Sequence, residues 1–171
     1  MKPLQTPPPI WLAASSDETL IKAGELGLPI MGIPFARSKT VAEVKAKNDL
    51  FRESYFRSGH GADPEIMVAM HVYLHPNKEE AVRSSRPYYL RVSSFLGTHR
   101  RPGSRIPEFD DIRNEKLAVF TSPEEGAEIF SAYEKIGVTH VICMVNFGGV
   151  AMPEVRRTLE LMSQNVMPKL R

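Results

Sequence analysis

The stretch that most narrows what this chain can fold into is Glu65 to Leu74. Its Ile66-Met67-Val68-Ala69-Met70 run mixes β-branched and large apolar side chains without alternating them with polar ones. A strand with one wet face alternates, whereas a continuous apolar run suits a strand covered on both faces, as parallel strands are. A parallel sheet with helices packed on it is therefore the first expectation.

The rest of the chain follows that grammar. Ile10 to Ala14 reads as a short buried strand after the extended lead-in Pro7-Pro8-Pro9. Ser15 and Glu18 stand in capping-box spacing for a helix through Leu20, Ile21, Ala23 and Leu26, with Gly27 to stop it. Pro29 to Ile33 is a second strand candidate. Thr40 and Glu43 cap a helix carrying Val41, Val44, Leu50 and Phe51, broken by Gly59-His60-Gly61. Asn77 caps the helix after the long strand, with Glu79 and Glu80 well placed in its first turn. Residues 97–112 are polar, rich in Gly, Pro and Arg, and lack periodicity, which predicts a flexible loop insertion. Ser122-Pro123-Glu124-Glu125 opens a helix that ends at Gly137, Thr139 to Val145 forms the last strand, and a final helix runs from Pro153 to Val166. The predicted order is β-α-β-α-β-α-loop-α-β-α in one domain, residues 1–171. Four such strands suit a small open sheet or half of an eight-stranded barrel, and periodicity does not choose between them.

Charge and cysteine usage exclude several function classes. A net charge of +2 offers no polyanion-binding surface, and the basic run His99-Arg100-Arg101 lies among Pro102, Gly103 and Pro107 as a solvated loop, so no nucleic acid partner is expected. The single cysteine, Cys143, lies in an apolar run and fits packing in a reducing cytosol. No apolar run approaches the roughly 20 residues that span a bilayer, and Met1-Lys2-Pro3-Leu4 does not open a signal peptide. A cytoplasmic protein with no membrane partner is expected.

Pro8-Pro9-Ile10-Trp11-Leu12-Ala13-Ala14-Ser15-Ser16 resembles the fifth-strand signature of the bacterial luciferase-like, flavin-dependent monooxygenase family. Ala23-Gly24-Glu25-Leu26-Gly27-Leu28-Pro29 resembles the helix-to-strand turn that follows it there. Ser122-Pro123-Glu124-Glu125, Tyr133, Gly137-Val138-Thr139-His140-Val141, Phe147-Gly148-Gly149 and Val166-Met167-Pro168 resemble later family segments in the same order. Phe120-Thr121 and the Arg-rich loop depart from the pattern. The resemblance implies the C-terminal half of a TIM-type (β/α)8 barrel, strands five to eight with their helices. It also implies an oxidoreductase that uses reduced FMN, with F420 as the alternative, and a flavin reductase as a partner. The family's catalytic histidine and much of its isoalloxazine pocket belong to the other half, so activity of this chain alone is not expected. A fragment, a non-catalytic reduced paralogue and one subunit of a split barrel are the three origins left open. An open half barrel has uncovered edges and an apolar inner face, so a homodimer or a complementary barrel half is the expected partner.

The barrel end that follows the strands holds the site in such folds. Ser15, Ser16 and Thr19 lie there at a helix N-terminus, where free N–H groups and hydroxyls suit an anion. The resemblance assigns them the flavin phosphate, while simple capping and repulsion by Asp17 and Glu18 argue against it. Asn146, Phe147, Gly148 and Gly149 follow the last strand, where glycines admit close backbone approach to a ligand and Phe147 a ring contact; a turn with positive φ explains them equally. His71 and His75 share a strand face without a third ligand, so no metal is expected. No nucleophile–histidine–acid order or carboxylate pair stands out as a catalytic set.

Overall fold

The strand expected to be covered on both faces is the spine of the molecule. The computed structural model describes residues 8–98 and 107–170. Its elements are β1 (Leu12–Ala13), α1 (Asp17–Leu26), β2 (Ile30–Gly32), α2 (Pro34–Arg37), α3 (Val41–Arg57), β3 (Ile66–Leu74), α4 (Lys78–Thr98), α5 (Phe109–Asn114), β4 (Val119–Thr121), α6 (Pro123–Lys135), β5 (His140–Met144) and α7 (Met152–Leu161). A π-helical turn, Met162–Val166, and a 3-10 turn, Met167–Lys169, continue α7. All strand pairs are parallel: β1 with β2, β2 with β3, and β3 with both β4 and β5. This is an α/β fold built on a parallel sheet, as the sequence predicts.

Register sorts the side chains into two faces, because paired residues on neighbouring strands point the same way. Leu12, Ile30 and Ile66 form one row, and Val68 with Met70 continue their face; Ile30, Ile66, Val68 and Met70 are buried under the helices. Ala13, Met31, Met67 and His140 form the next row on the opposite face. That face is concave. Trp11 and His140 meet edge-on with ring centroids 5.2 Å apart, although β2 and β3 lie between their strands. Contact across two intervening strands is what a sheet curling toward a barrel gives.

Local chemistry explains the helix boundaries. Thr40 accepts from the Glu43 N–H, Asn77 from the Glu80 N–H and Ser122 from the Glu125 N–H, at 3.2, 2.8 and 3.5 Å. Gly27 ends α1 at φ 66°. Helix α1 lies so close to α3 that a Cβ on Gly24 would stand 2.7 Å from both the Ser54 Cβ and the Tyr55 amide nitrogen.

Four expectations need correction. The strand count is five among the described residues, because Val119–Thr121 pairs with Val72–Leu74. The one-turn helix α2 also intervenes before Thr40. Both ends of the loop expected over 97–112 are helical instead: residues 97 and 98 close α4, and α5 starts at Phe109, with Phe109 and Ile112 buried; the rest of that expected loop, residues 99–106, lies outside the described residues. Finally, the cap of α1 is Ser16, not Ser15 paired with Glu18. Its Oγ accepts from the Thr19 N–H at 3.3 Å and lies 2.8 Å from the Thr19 hydroxyl.

Candidate functional site

The first predicted cluster sits where β1 turns into α1. Ser16 and Thr19 are tied to each other as the helix cap, and Ser15 lies half-buried one residue earlier. Ser15 lines a small cavity of about 40 Å³, whose wall also includes Leu20, Gly32, Arg37 and Asn48. Such a space holds a few waters and is too small for a flavin, so an anion bound by Ser15 and Ser16 would sit at its mouth. Arg37 and Lys47 bring positive charge to the cavity lining, while Asp17 and Glu18 stand in the first turn of α1.

The second cluster follows β5. Asn146 is exposed, and Phe147 is buried against His71 and Phe120, with centroid distances of 4.6 and 5.6 Å. Gly148 has φ 58°, and a Cβ there would fall 1.9 Å from the Tyr88 carbonyl oxygen. Its own carbonyl accepts from Arg91 at 2.9 Å, and Gly149 follows at φ 77°. The ring that Phe147 packs on is thus the chain's own His71, and both glycines meet the needs of the turn.

The two clusters share one end of the sheet but not one place. Ala13 is level with His140, so Met144 at the end of β5 lies four residues further on. At about 3.3 Å per residue this is a stagger of roughly 13 Å, and β2 and β3 also separate the clusters.

Two features escaped the sequence reading. His71 is buried among Phe35, Phe147 and Tyr89, and neither ring nitrogen has a hydrogen-bond partner among the described residues. Burial holds its pKa down to about 4, which keeps the ring neutral. A lone histidine in an apolar run carries no sequence signal for this. His75 instead takes part in the turn at Asn77, accepting its N–H at 3.1 Å, and no group of three or more potential metal ligands occurs among the described residues. The second feature is a carboxylate between two phenols. Glu154 accepts from the Tyr73 and Tyr88 hydroxyls, each at 2.5 Å, and Arg157 donates to the Tyr73 oxygen at 3.0 Å. Burial would raise the Glu154 pKa, but the two hydroxyls and Arg157 hold it below the usual range. Tyr73 is pushed up to about 12, first by burial and then by Glu154. The two tyrosines lie more than 60 positions from Glu154 in sequence, beyond any local motif.

The sheet curls toward a barrel, and the predicted clusters lie beyond its strand ends. A model of the luciferase-like monooxygenase family matches residues 1–140. The chain belongs to that family. It is 29% identical over 153 residues to the uncharacterized protein YvbT of Bacillus subtilis (strain 168), a match covering 89% of this chain and 39% of that protein. Among solved structures it is similar to the monooxygenase RslO1 from Streptomyces bottropensis (TM-score 0.79, 20% identity, 94% of this chain and 48% of that one). The oxygenating constituent of 3,6-diketocamphane monooxygenase from Pseudomonas putida, in complex with FMN, gives a TM-score of 0.67 at 16% identity, with 94% and 48% covered. The coenzyme F420-dependent tetrahydromethanopterin reductase from Methanopyrus kandleri gives 0.68 at 14%, with 97% and 52% covered. The chain spans about half the length of these solved relatives and 39% of YvbT. No helix among the described residues is long and apolar enough to cross a membrane.

Proposed function

We propose that this chain is the phosphate-anchoring half of a flavin-dependent oxidoreductase, equivalent to barrel strands five to eight, and that it works in the cytoplasm with a second half barrel. The observation that carries the reading is the β1–α1 turn. Ser15 and Arg37 line one cavity, and the Ser16–Thr19 pair next to Ser15 caps the ten-residue helix that follows. Hydroxyls, N–H groups and a guanidinium are the donors a phosphate takes.

FMN fits this donor set better than F420 only by resemblance, and both carry a phosphate for the same turn. When bound, the reduced cofactor supplies the redox chemistry, with a flavin reductase as the source of reduced FMN. The protein's share is position and exclusion of water. Met31, Met67 and Met144 on the concave face would form an apolar wall beyond the phosphate, and Phe147 acts indirectly by fixing the Asn146–Gly149 turn. No residue of this chain is assigned to proton transfer.

The test is an FMN titration followed by quenching of flavin fluorescence in phosphate-free buffer. Saturation at micromolar FMN is expected. Ser16→Asp separates the phosphate role from capping, since aspartate caps as well as serine but repels a phosphate. The variant should keep the wild-type melting temperature and lose at least tenfold in FMN affinity. Unchanged affinity would remove the assignment.

A further inference from the structure

His71 is buried, at 4% exposure, and neither of its ring nitrogens has a hydrogen-bond partner among the described residues. A buried polar group left unpaired costs stability, so folds keep few of them, and those kept are expected at functional sites. Packing does not require an imidazole here. The ring lies between Phe35 and Phe147, each centroid 4.6 Å away, and Tyr89 meets its edge at 6.1 Å. A phenyl ring would fill the same space without orphan nitrogens. Burial keeps the imidazole neutral, its pKa held down to about 4, so one nitrogen carries a hydrogen to donate and the other a lone pair to accept.

Register places His71 on the concave face, toward the end that carries the site. Met67, Ala69 and His71 alternate along β3, and His71 is level with Met144, the last residue of β5. Ala13 is level with Met67, so Ser15 stands near the level of Ala69, and His71 two residues beyond it. Two strand spacings of about 4.8 Å and two residues of about 3.3 Å put the backbones of Ser15 and His71 roughly 12 Å apart. A ribityl chain and the ring it carries span a gap of that size. Of the two rings that cover the imidazole, Phe147 is fixed by its turn, where Arg91 donates to the Gly148 carbonyl. Phe35 belongs to the single-turn helix α2, whose N-terminus has no side-chain cap, and is the cover that gives way to a ligand.

We infer that His71 is the ring-contacting residue of the cofactor site, its imidazole pairing with the imide edge of a flavin whose phosphate is held at Ser15 and Ser16. That edge has a carbonyl on each side of an N–H, so a neutral imidazole meets it as donor or as acceptor. FMN and F420 share the edge, and the ligand class is therefore set by the ring and not by its tail. The inference rests on the flavin reading of the β1–α1 turn and adds the group that holds the other end of the cofactor.

The test labels the histidines of the whole chain with nitrogen-15 and follows their ring nitrogens by NMR as FMN is added. The chain has five histidines, and the His71 signals are those that His71→Phe removes. They should move as FMN saturates, while those of His60 and His75, tied to Glu25 and to Asn77, stay. His71→Phe should melt no lower than wild type at pH 7.5. It should lose about tenfold in affinity for FMN and for riboflavin alike, the loss of one hydrogen bond. Ser16→Asp should weaken FMN alone, because riboflavin has no phosphate. FMN bound with unmoved His71 signals, or bound unchanged by His71→Phe, would overturn the inference and leave the phosphate reading standing. If FMN does not bind, F420 is titrated in the same way. Binding that moves the His71 signals keeps the inference and changes the cofactor, whereas no binding by either removes the flavin reading and this inference with it.

Discussion

Protonating His71 would put a charge among Phe35, Phe147 and Tyr89 with no hydrogen-bond partner for either nitrogen. Its folded pKa is about 4 against an ordinary 6.5, so between those values the unfolded chain takes up the proton more readily. The stability that goes with the neutral ring is complete above pH 6.5 and is lost as pH falls toward 4. A shift of this size corresponds to about 3 kcal/mol. His71→Phe keeps a ring in the same space and removes both orphan nitrogens. Urea unfolding at pH 7.5, 6.0 and 5.0 should show wild type losing stability relative to that variant as the pH drops; parallel curves would show that His71 does not titrate in this way. Much of the candidate site was legible in residues of this kind only as position. Ser16, Thr19 and the glycines at 148 and 149 stand at strand ends as expected, because caps and positive-φ turns are local chemistry. The burial of Phe147 and His71 was not legible, since it depends on α4 and β4 arriving from elsewhere in the chain.

At the scale of elements, Glu154 joins α7 to β3 through Tyr73 and to α4 through Tyr88. Glu154→Gln leaves an amide where two hydroxyls need an acceptor, and losing one charge-assisted bond should cost about 2 kcal/mol, read from thermal or urea unfolding. It should also lower the Tyr73 pKa from about 12, but not to the ordinary phenol value, because burial is the larger cause. Ultraviolet titration of the tyrosines checks this, and an unchanged profile would mean the carboxylate does not govern the phenol. The helices were legible because their ends announce themselves: Thr40, Asn77 and Ser122 all cap where their spacing says. Strand β4 was not. Three residues buried on both sides have no room for a period, and only pairing with Val72–Leu74 makes them a strand. Helices α2 and α5 are likewise too short to show an apolar stripe, and tertiary burial of Phe35, Phe109 and Ile112 holds them.

For the whole molecule, the sheet's two faces have different status. The helix-covered face is finished: Ile30, Ile66, Val68 and Met70 are buried within one chain. The concave face is half-finished, and its exposed Ile142 lies in a row with Ala69 where a barrel would have core. A residue exposed in the single chain but enclosed in a pair offers a clean separation of folding from association. Ile142→Asp puts a carboxylate on that face while disturbing little inside the chain, since Ile142 is 41% exposed. Wild type should gain thermal stability with concentration, on the order of a few degrees for each tenfold rise, because dimerisation adds to stability by mass action. Ile142→Asp should sediment as a monomer, keep its helical circular dichroism, and melt at a temperature independent of concentration. If wild type melts independently of concentration, or the aspartate variant remains a dimer, the concave face is not where two copies meet.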